Sequence, residues 1–407
     1  MDPAAKNKPR SVAEYRATIA ALVPTLPVVL RPVLDCVGMV LGEDLVSPVS
    51  LPPFDNSAMD GYAVRSEDVA GAERHAAVAL PVPVDIPAGR TDIVPLLPHT
   101  AHRIMTGAPV PPGADAVVKV EDTDGGEQRV AVRAPAAPGT HIRRAGEDVA
   151  EGMTVLRAGT VLGSAQLGLA AAIGRGTLPV YRRARVLILS TGTELVGPDT
   201  PLLHGQIYES NSVMLAAAVR EIGAEPVVLR FVPDDVEAFH AAIAEHKADV
   251  DLLVTSGGVS AGAYEVVKDA LTGQGVEFMR VAVQPGGPQG NGLFGELPVV
   301  TFPGNPVSSA LSFELFLRPA LLAAMGHTVT ERTRVRARTT TALQSPAGRT
   351  QYRRGWHEGD TVAPIGGPGS HLLASLAAAN CLIELPEDVT AVAEGDLVTV
   401  LRMEQAP

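Results

Sequence analysis

Between residues 185 and 326 the chain alternates short apolar runs with segments in which apolar residues recur at helical spacing. The apolar runs lie within 185–195, 226–232, 252–254 and 298–302. The run at 252–254 shows no polar alternation, which predicts a strand covered on both faces of a parallel sheet. Helical spacing follows each run, over 211–222, over 234–246, over 266–271 and from 305 onwards. This alternation predicts a right-handed parallel α/β sheet whose ligand site lies at the carboxyl ends of the strands.

Three of these predicted strands end in loops rich in small and polar residues. Gly257 and Gly258 let the backbone turn and approach a ligand, and the helix that follows directs unpaired N–H groups towards the loop. Ser256 and Ser260 add hydroxyl donors. Taken alone, a glycine pair is also compatible with a simple tight connection. Because the loops STGTEL and FPGNP end two further strands of the same predicted sheet, the three loops together predict an anion-binding site.

The remaining segments predict a multidomain α/β plus β protein. A capping box at Ser11 and Glu14 begins a helix that runs to Val23, a second helix is predicted over 32–45, and a third begins with Ser164 as its N-cap and ends at Gly174. Short strands separated by prolines over 51–138 predict a β-rich domain. Short strands over 328–407 predict a small barrel with Trp356 in its core. Residues 1–50 and 139–183 then form a discontinuous linker domain beside an α/β domain over 184–327.

The composition narrows the classes of partner. With 33 Lys and Arg against 45 Asp and Glu the net charge is −12, so nucleic acid is disfavoured because it requires a basic face. Prolines and charges interrupt the apolar stretch between residues 22 and 41, and no signal peptide or membrane span is predicted. Cys36 and Cys381 lie far apart, which argues against a disulfide framework or a zinc site and fits a cytoplasmic location.

Two polar segments of the β-rich part carry candidate chemistry. The turn at Asp55 to Asp60 precedes a short strand and places carboxylates where one can face a metal or a metal-bound phosphate. Thr106 follows an apolar strand. The alternatives are an Asx-type turn for the first segment and a simple hairpin for the second. Arg143 and Arg144, which lie close to acidic residues, are also compatible with ordinary exposed ion pairs.

The chain resembles the molybdopterin molybdenumtransferases, the molybdenum insertases of molybdenum-cofactor synthesis, and the matching domain of gephyrin. The resemblance rests on the ordered segments FDNSAMDGYAV, RIMTGAPVP, RRAGED, STGTEL, GQIYESN, TSGGVSAG, FPGNPVS and GSHLLASLAAANCLIELP and covers essentially the whole chain. It implies a homodimer, with the linker domain mediating dimerisation, that takes molybdate and adenylylated molybdopterin and releases AMP with the assistance of Mg²⁺. It also implies partners among the other proteins of molybdenum-cofactor synthesis.

The resemblance further implies the site residues. The family's functional acids fall at Asp60, Glu194 and Asp234, of which Asp60 and Glu194 are metal ligands, and Thr106 is a hydroxyl donor. Glu265 stands where the family has an aspartate. These groups suit the cleavage of a phosphoanhydride, which needs a metal, carboxylates that hold it and donors for the oxyanions. The implied substrate-binding residues are Ser256, Gly257, Gly258, Ser260, Arg280, Gln284, Pro303, Gly304, Asn305, Pro306, Ser370, Arg143 and Arg144.

Some positions depart from the family pattern. Ala263 replaces an acid, Gln284 and Gly287 replace the two lysines of Lys-Pro-Gly-Lys-Pro, and Ala145 replaces the third arginine of Arg-Arg-Arg-Gly-Glu-Asp. Two potential cations for phosphate or molybdate are therefore lost, and the arginines named above are the groups available to compensate. One alternative is a non-catalytic pterin-binding or scaffold paralogue. Another is molybdopterin adenylyltransferase, which shares the α/β domain but is essentially a single domain.

Overall fold

The computed structural model describes residues 8–92, 94–232, 235–258 and 266–403, which fall into two compact units. The first unit comprises Met1–Leu30, Gly38–Gly42 and Pro179–Pro407, and the second comprises Arg31–Val37 and Glu43–Leu178. The predicted domain boundaries at residues 50, 138, 183 and 327 stay predictions. The α-helices of the described residues are α1 (Val12–Leu22), α2 (Ser164–Ala172), α3 (Asn211–Glu221), α4 (Val236–His246), α5 (Val266–Leu271), α6 (Pro306–Ser312), α7 (Arg318–Ala324) and α8 (Leu373–Ala377).

The centre of the first unit is a six-stranded sheet. Its first four strands are parallel and its last two are antiparallel to their neighbours, so the predicted parallel sheet is confirmed and gains an antiparallel edge. Apolar side chains of its strands alternate between two cores: one face packs against α1, α3, α6 and α7, and the other packs against α4 and α5. The strand order is Glu225–Val232, Arg185–Thr191, Leu252–Ser256, Leu297–Phe302, Pro288–Phe294 and Val276–Arg280.

The start of α1 matches the prediction. The Ser11 hydroxyl accepts from the Glu14 N–H at 3.2 Å, and the Glu14 carboxylate accepts from the Ser11 N–H at 2.8 Å. This reciprocal pair satisfies two N–H groups that an isolated helix end would leave unpaired. The capping box is therefore confirmed.

Helices α6 and α7 continue into each other through a π-helical turn at Phe313–Leu317. The carbonyl of Leu315 in this turn accepts from the Arg16 guanidinium at 3.0 Å, which stabilises the irregular turn because a π segment disturbs the regular helical hydrogen bonds. The combined stretch Pro306–Ala324 has the length and hydropathy of a membrane span, yet most of it is buried inside the protein. It is a core helix of the first unit.

The C-terminal part of the first unit is a closed five-stranded barrel, as predicted. Its strands, in order around the barrel, are Thr350–Glu358, Thr361–Pro364, Arg334–Thr339, Leu397–Arg402 and Cys381–Leu385. The short strand Val283–Gln284 leaves the α/β part and pairs in parallel with Thr350 and Gln351. A further pair of short strands is Leu343–Gln344 with Ala391–Val392.

The prediction that Trp356 packs inside the barrel is wrong, because its side chain is 50% exposed. A Cβ added at the preceding residue, Gly355, would contact Cys381, Ile383 and Val362 at 3.0 Å, so that position faces the core. Successive residues of a strand point to opposite faces, and Trp356 therefore points outwards.

The second unit contains a four-stranded sheet and several strand pairs. The sheet order is Val84–Ile86, His102–Ile104, Gly61–Val64 and Ala116–Lys119. The strand pairs are Val78–Pro81 with Arg129–Val132, Asn56–Ser57 with Ile142–Arg143, and Leu45–Val46 with Thr154–Leu156. Its 3₁₀ helices are Val33–Cys36, Ser66–Val69 and Val120–Asp122. The strands Val28–Pro32 and Thr177–Tyr181 belong partly to the first unit and partly to the second.

Two helix predictions in this part of the chain need correction. The helix predicted over 32–45 is absent: the 3₁₀ helix Val33–Cys36 is the only helical turn there, and Gly38 with φ of +74° ends any continuation. The N-cap of α2 is Gly163 rather than Ser164, because the Gln166 side chain accepts from the Gly163 N–H at 3.1 Å.

Candidate functional site

A cavity of about 1410 Å³ opens in the first unit at the carboxyl ends of the central parallel strands. The loops that follow Arg185–Thr191, Leu252–Ser256 and Leu297–Phe302 all line it, as does a loop of the barrel. Of the substrate-binding residues implied by the resemblance, those lining the cavity are Ser256, Gly257, Gly258, Gln284, Pro303, Gly304, Asn305, Pro306 and Ser370. Arg280 is exposed and does not line the cavity.

The glycine loop after the third strand requires its glycines. Gly257 and Gly258 have φ of +96° and +66°, a region that residues with a Cβ rarely adopt. A Cβ on Gly258 would lie 2.8 Å from Cγ2 of Val267, and one on Gly304 would lie 3.4 Å from Cα of Gly257. The two loops therefore touch backbone to backbone.

The Ser256 hydroxyl lies beneath these loops and is engaged by the protein. Its residue is 3% exposed. Its Oγ accepts from the Asn211 amide at 2.8 Å and lies 3.4 Å from Ser309 Oγ. Asn211 was not among the predicted site residues, although the segment GQIYESN contains it. In a sequence, a polar side chain at the start of a helix is indistinguishable from an ordinary helix cap. The role of Asn211 in the site could therefore not be recognised from the sequence.

Glu209 of the same segment is a buried carboxylate with a structural role. It is 4% exposed and accepts from the Ser190 hydroxyl at 3.0 Å and from the Ser212 N–H at 2.8 Å. The Ser212 hydroxyl donates to its other oxygen. These donors connect the end of the strand Arg185–Thr191 to the first turn of α3, and they compensate for the free-energy cost of burying a carboxylate.

Glu194 is the exposed carboxylate of the first loop. It lies over Gly192, where an added Cβ would come within 2.7 Å of its Oε2. Its side chain makes no hydrogen bond or ion pair with the described residues. It is therefore available to a ligand or a metal ion that enters the cavity.

The loop around Gln284 is fixed by two neutral side chains. Gln351 of the barrel donates to Gln284 Oε1 at 3.0 Å. Gln289, which is 1% exposed, donates to the Gly286 carbonyl at 2.7 Å and to Ser312 Oγ at 2.6 Å. Within the described lining of the cavity there is no Lys or Arg, whereas Glu194, Glu209 and Asp269 contribute carboxylates.

Ser370 reaches the cavity on a loop of the barrel. Its carbonyl accepts from the Val307 N–H at 3.0 Å, in the first turn of α6. The same loop is held by Arg354, a 1% exposed residue whose guanidinium donates to the carbonyls of Gly369, at 3.2 Å, and Gly367. The sequence favours a solvated face for Arg349, Arg353 and Arg354 over a basic lip above the α/β domain, and for the buried Arg354 the solvated face is wrong.

The second unit brings Asp60 and Thr106 together. Thr106 donates its N–H to Asp60 Oδ1 at 2.6 Å and its hydroxyl to the same oxygen at 2.8 Å. These two hydrogen bonds hold the pKa of the Asp60 carboxyl below its usual value, and the bond from the Thr106 N–H contributes the larger part. The carboxylate is exposed and keeps its second oxygen for another partner.

Arg143 and Arg144 differ in their surroundings. Arg144 donates to Asp55 Oδ2 at 2.6 Å, and Asp55 also accepts from the Ala145 N–H at 2.8 Å. Arg143 is exposed and its side chain forms no ion pair with the described residues of the second unit. Arg143 is therefore the freer cation of the two.

Three predicted site residues, Asp234, Ser260 and Glu265, lie outside the described residues, as does Ala263.

Comparison with protein families finds three regions in order along the chain. Residues 10–174 match the MoeA N-terminal region (domain I and II), residues 187–323 a probable molybdopterin binding domain, and residues 336–403 the MoeA C-terminal region (domain IV). The matched regions span most of the chain.

Similar whole proteins give the same picture. The chain is 54% identical over 400 residues to molybdopterin molybdenumtransferase 2 of Mycobacterium tuberculosis, covering 96% of this chain and 99% of that protein. It is 38% identical to molybdopterin molybdenumtransferase 1 of the same organism, covering 97% and 99%. The crystal structure of the molybdopterin biosynthesis MoeA protein of Pyrococcus horikoshii superposes with a TM-score of 0.83 at 32% identity, covering 98% of this chain and all of that one. The chain therefore belongs to the MoeA family, the family of the molybdopterin molybdenumtransferases.

Proposed function

We propose that this protein inserts molybdenum from molybdate into adenylylated molybdopterin and releases AMP. The observation that carries the proposal is the cavity at the strand ends, most of whose lining lies within the region that matches the molybdopterin binding domain. The full-length similarity to a molybdopterin molybdenumtransferase supports the same activity.

The cavity wall offers neutral donors for oxyanions. Ser210, Ser308 and Ser370 line it and carry hydroxyl groups, and the glycine loop allows a phosphate to approach the backbone without a side chain in the way. Such preorganised donors stabilise the charge that develops when a phosphoanhydride is cleaved. We assign binding and orientation of the substrate to these groups.

The acidic residues suit a magnesium ion that binds together with the substrate. The described residues contain no group of three or more His, Cys, Asp or Glu placed to hold a metal by themselves. Mg²⁺, however, usually binds through one or two carboxylates plus substrate phosphates and water, and the free carboxylate of Glu194 in the cavity fits that donor set. When bound, the ion neutralises phosphate charge. We propose Glu194 as a protein ligand of this ion in the cavity. We also propose Asp60, which Thr106 orients, as a magnesium ligand offered by the second unit.

Incubation of the purified protein with adenylylated molybdopterin tests the activity. We expect AMP release that depends on molybdate and stops when EDTA removes divalent cations. AMP release that does not depend on molybdate would contradict the insertase proposal.

A second candidate is a non-catalytic pterin-binding protein. The described part of the lining favours it, since it contains no Lys or Arg and Gln284 and Gly287 stand where the family has lysines. Tight binding of adenylylated molybdopterin without turnover in the same assay would indicate this candidate. Consumption of ATP with unmodified molybdopterin would indicate an adenylyltransferase instead.

We further propose that the protein acts as a homodimer in the cytoplasm and contacts other proteins of molybdenum-cofactor synthesis. Apolar residues exposed on the second unit support self-association: Leu34 is 86% exposed, Val37 61%, and Met153 and Val161 50% each. A homodimer interface could remove such apolar side chains from water. Cell fractionation with an antibody tests the location.

A further inference from the structure

Asn211 joins two of the loops that line the cavity through a single side-chain amide. Its Nδ2 donates to Ser256 Oγ at 2.8 Å and to the Gly304 carbonyl oxygen at 2.7 Å. Both N–H bonds of the amide are therefore used, and both acceptors belong to the cavity wall. Ser256 ends one central strand, and Gly304 lies just beyond the end of the neighbouring strand.

The end of the strand Arg185–Thr191, which leads into the third loop of the cavity, is held close to Asn211 as well. Asn211 is the first residue of α3, and Glu209, two residues earlier, accepts from Ser190 at the end of the first strand. Glu209 also binds the N–H of Ser212 at 2.8 Å. The main chain at Asn211 is thus held in place before its side chain reaches across to the other two loops.

The bridged loops lie against each other. The Gly257 N–H donates to the Phe302 carbonyl at 3.1 Å, and Gly304 approaches Gly257 so closely that an added Cβ would lie 3.4 Å from its Cα. Small changes in the spacing of such loops displace every group that they present. An amide that binds both loops at once fixes this spacing.

We propose that Asn211 is a positioning residue for the reaction described above: it holds the glycine loop and the Pro303–Pro306 loop at the separation that the anionic substrate requires. This inference rests on the proposed function. Asn211 acts through Ser256 and Gly304, and its side chain has no other donor to offer a ligand. Its Oδ1 is buried and makes no hydrogen bond within the described residues, so the residue is kept for its donors.

The substitution Asn211→Asp tests the bridge at constant shape. An ionised carboxylate cannot donate and repels the Gly304 carbonyl, whereas a protonated carboxyl regains one O–H donor. We expect kcat/KM for AMP release to fall roughly 10²-fold at neutral pH, because misplacement of reacting groups by about 1 Å costs that much. We also expect the ratio of variant to wild-type activity to rise as the pH is lowered.

Asn380 of the barrel provides a matched control. Its Nδ2 donates to the His357 carbonyl at 2.9 Å and its Oδ1 accepts from the His357 N–H at 2.7 Å, and it does not line the cavity. Asn380→Asp also removes an amide donor to a backbone carbonyl. We expect it to lower the melting temperature without changing kcat/KM at any pH.

Hydrogen exchange in the ligand-free protein separates the bridge from the chemistry. We expect the backbone amides of residues 255–258 and of Phe302, Gly304, Asn305 and Val307 to exchange faster in Asn211→Asp and to be unchanged in Asn380→Asp. Unchanged exchange in Asn211→Asp, or a wild-type pH profile of AMP release, overturns the role of Asn211. If the wild-type protein releases no AMP, the proposed function fails, and the exchange rates together with the affinity for AMP of the two variants still decide whether Asn211 sets the loops.

Discussion

The carboxylate of Asp60 is hydrogen-bonded by one neighbouring residue. Two donors from Thr106 reach the same oxygen of Asp60 and lower its pKa, so the group stays ionised to a lower pH than a free aspartate. Asp60→Asn keeps the shape and removes the charge. We expect molybdate-dependent AMP release to fall by roughly 10²-fold or more, as for the loss of a key electrostatic group, while the melting temperature stays the same because the residue is exposed.

Asp92 supplies the control for this prediction. It is an exposed aspartate of the same unit whose pKa is lowered by its hydrogen bond to Arg90. Asp92→Asn removes an equal charge and is expected to leave turnover unchanged. Equal activity of the Asp60 and Asp92 variants would remove Asp60 from the site.

His102 makes the stability of the protein depend on pH. It is 1% exposed, its Nδ1 has no hydrogen-bond partner within the described residues, and burial, aided by the charge of Arg90, lowers its pKa below the ordinary 6.5. The unfolded chain therefore binds a proton that the folded chain does not. This contribution to stability is present above pH 6.5 and is lost as the pH falls below it, by up to about 1.4 kcal/mol per pH unit.

Thermal unfolding between pH 7.5 and 5.5 measures this loss. In His102→Gln, which cannot titrate, we expect the melting temperature to fall less over that range than in the wild type. Exposed His75 is the control, and His75→Gln should keep the wild-type pH dependence. Parallel curves for the wild type and His102→Gln would contradict the assignment.

At the scale of elements, the glycine loop shows where steric crowding adds to backbone strain. Gly258 and Gly295 share similar positive φ angles, +66° and +63°, but only Gly258 has a side chain in the path of an added Cβ. In both alanine variants the left-handed backbone conformation lowers the free energy of unfolding by about 1–2 kcal/mol. We expect Gly258→Ala to lose about 1–3 kcal/mol more than Gly295→Ala because of overpacking against Val267.

Chemical denaturation of the two glycine variants measures the difference. Gly258→Ala should also lose AMP release, since its loop lines the cavity. Equal stability of the two variants would show that α5 gives way at Val267.

The sequence predicted the α/β part well because each element there has a strong local signal. The apolar runs that became Arg185–Thr191, Leu252–Ser256 and Leu297–Phe302 are buried on both faces, so their pattern is unambiguous. The helix predicted over 32–45 failed because its apolar residues carry no cap signal and Gly38 interrupts them. The predictions thus succeeded where the local signal is strong and failed where it is weak.

The candidate site was only partly predictable. The glycine pair and Asp60 are recognisable in the sequence because few other residue types can adopt a left-handed backbone conformation or present a carboxylate in a turn. Asn211 and Arg354 were missed or misread because their roles depend on residues 45 to 93 positions away for Asn211 and 13 to 15 positions away for Arg354. Side chains that act by long-range hydrogen bonds leave no local pattern.

At the scale of the whole molecule, self-association is the open structural prediction. Leu34 and Val37 lie on and just after a 3₁₀ helix of the second unit and are 86% and 61% exposed. If they are covered in a homodimer, replacing both by Asp will bury two charges at the interface and yield a monomer. Light scattering coupled to size-exclusion chromatography measures the mass.

Leu397 provides the control for the dimer prediction. It is 49% exposed on a strand of the barrel, in the first unit. Leu397→Asp is expected to leave the mass unchanged. A wild-type protein that elutes with the mass of one chain would contradict the proposal directly.

The parallel pairing of Val283 and Gln284 with Thr350 and Gln351 has a mechanical consequence. Backbone hydrogen bonds and the Gln351 amide connect the wall segment at Gln284 to the barrel. On the other side, the carbonyl of Ser370 in the barrel accepts a hydrogen bond from the first turn of α6. A tilt of the barrel would therefore move the wall segment at Gln284 and the wall loop at Ser370 together. The width of the cavity would then change with the orientation of the barrel.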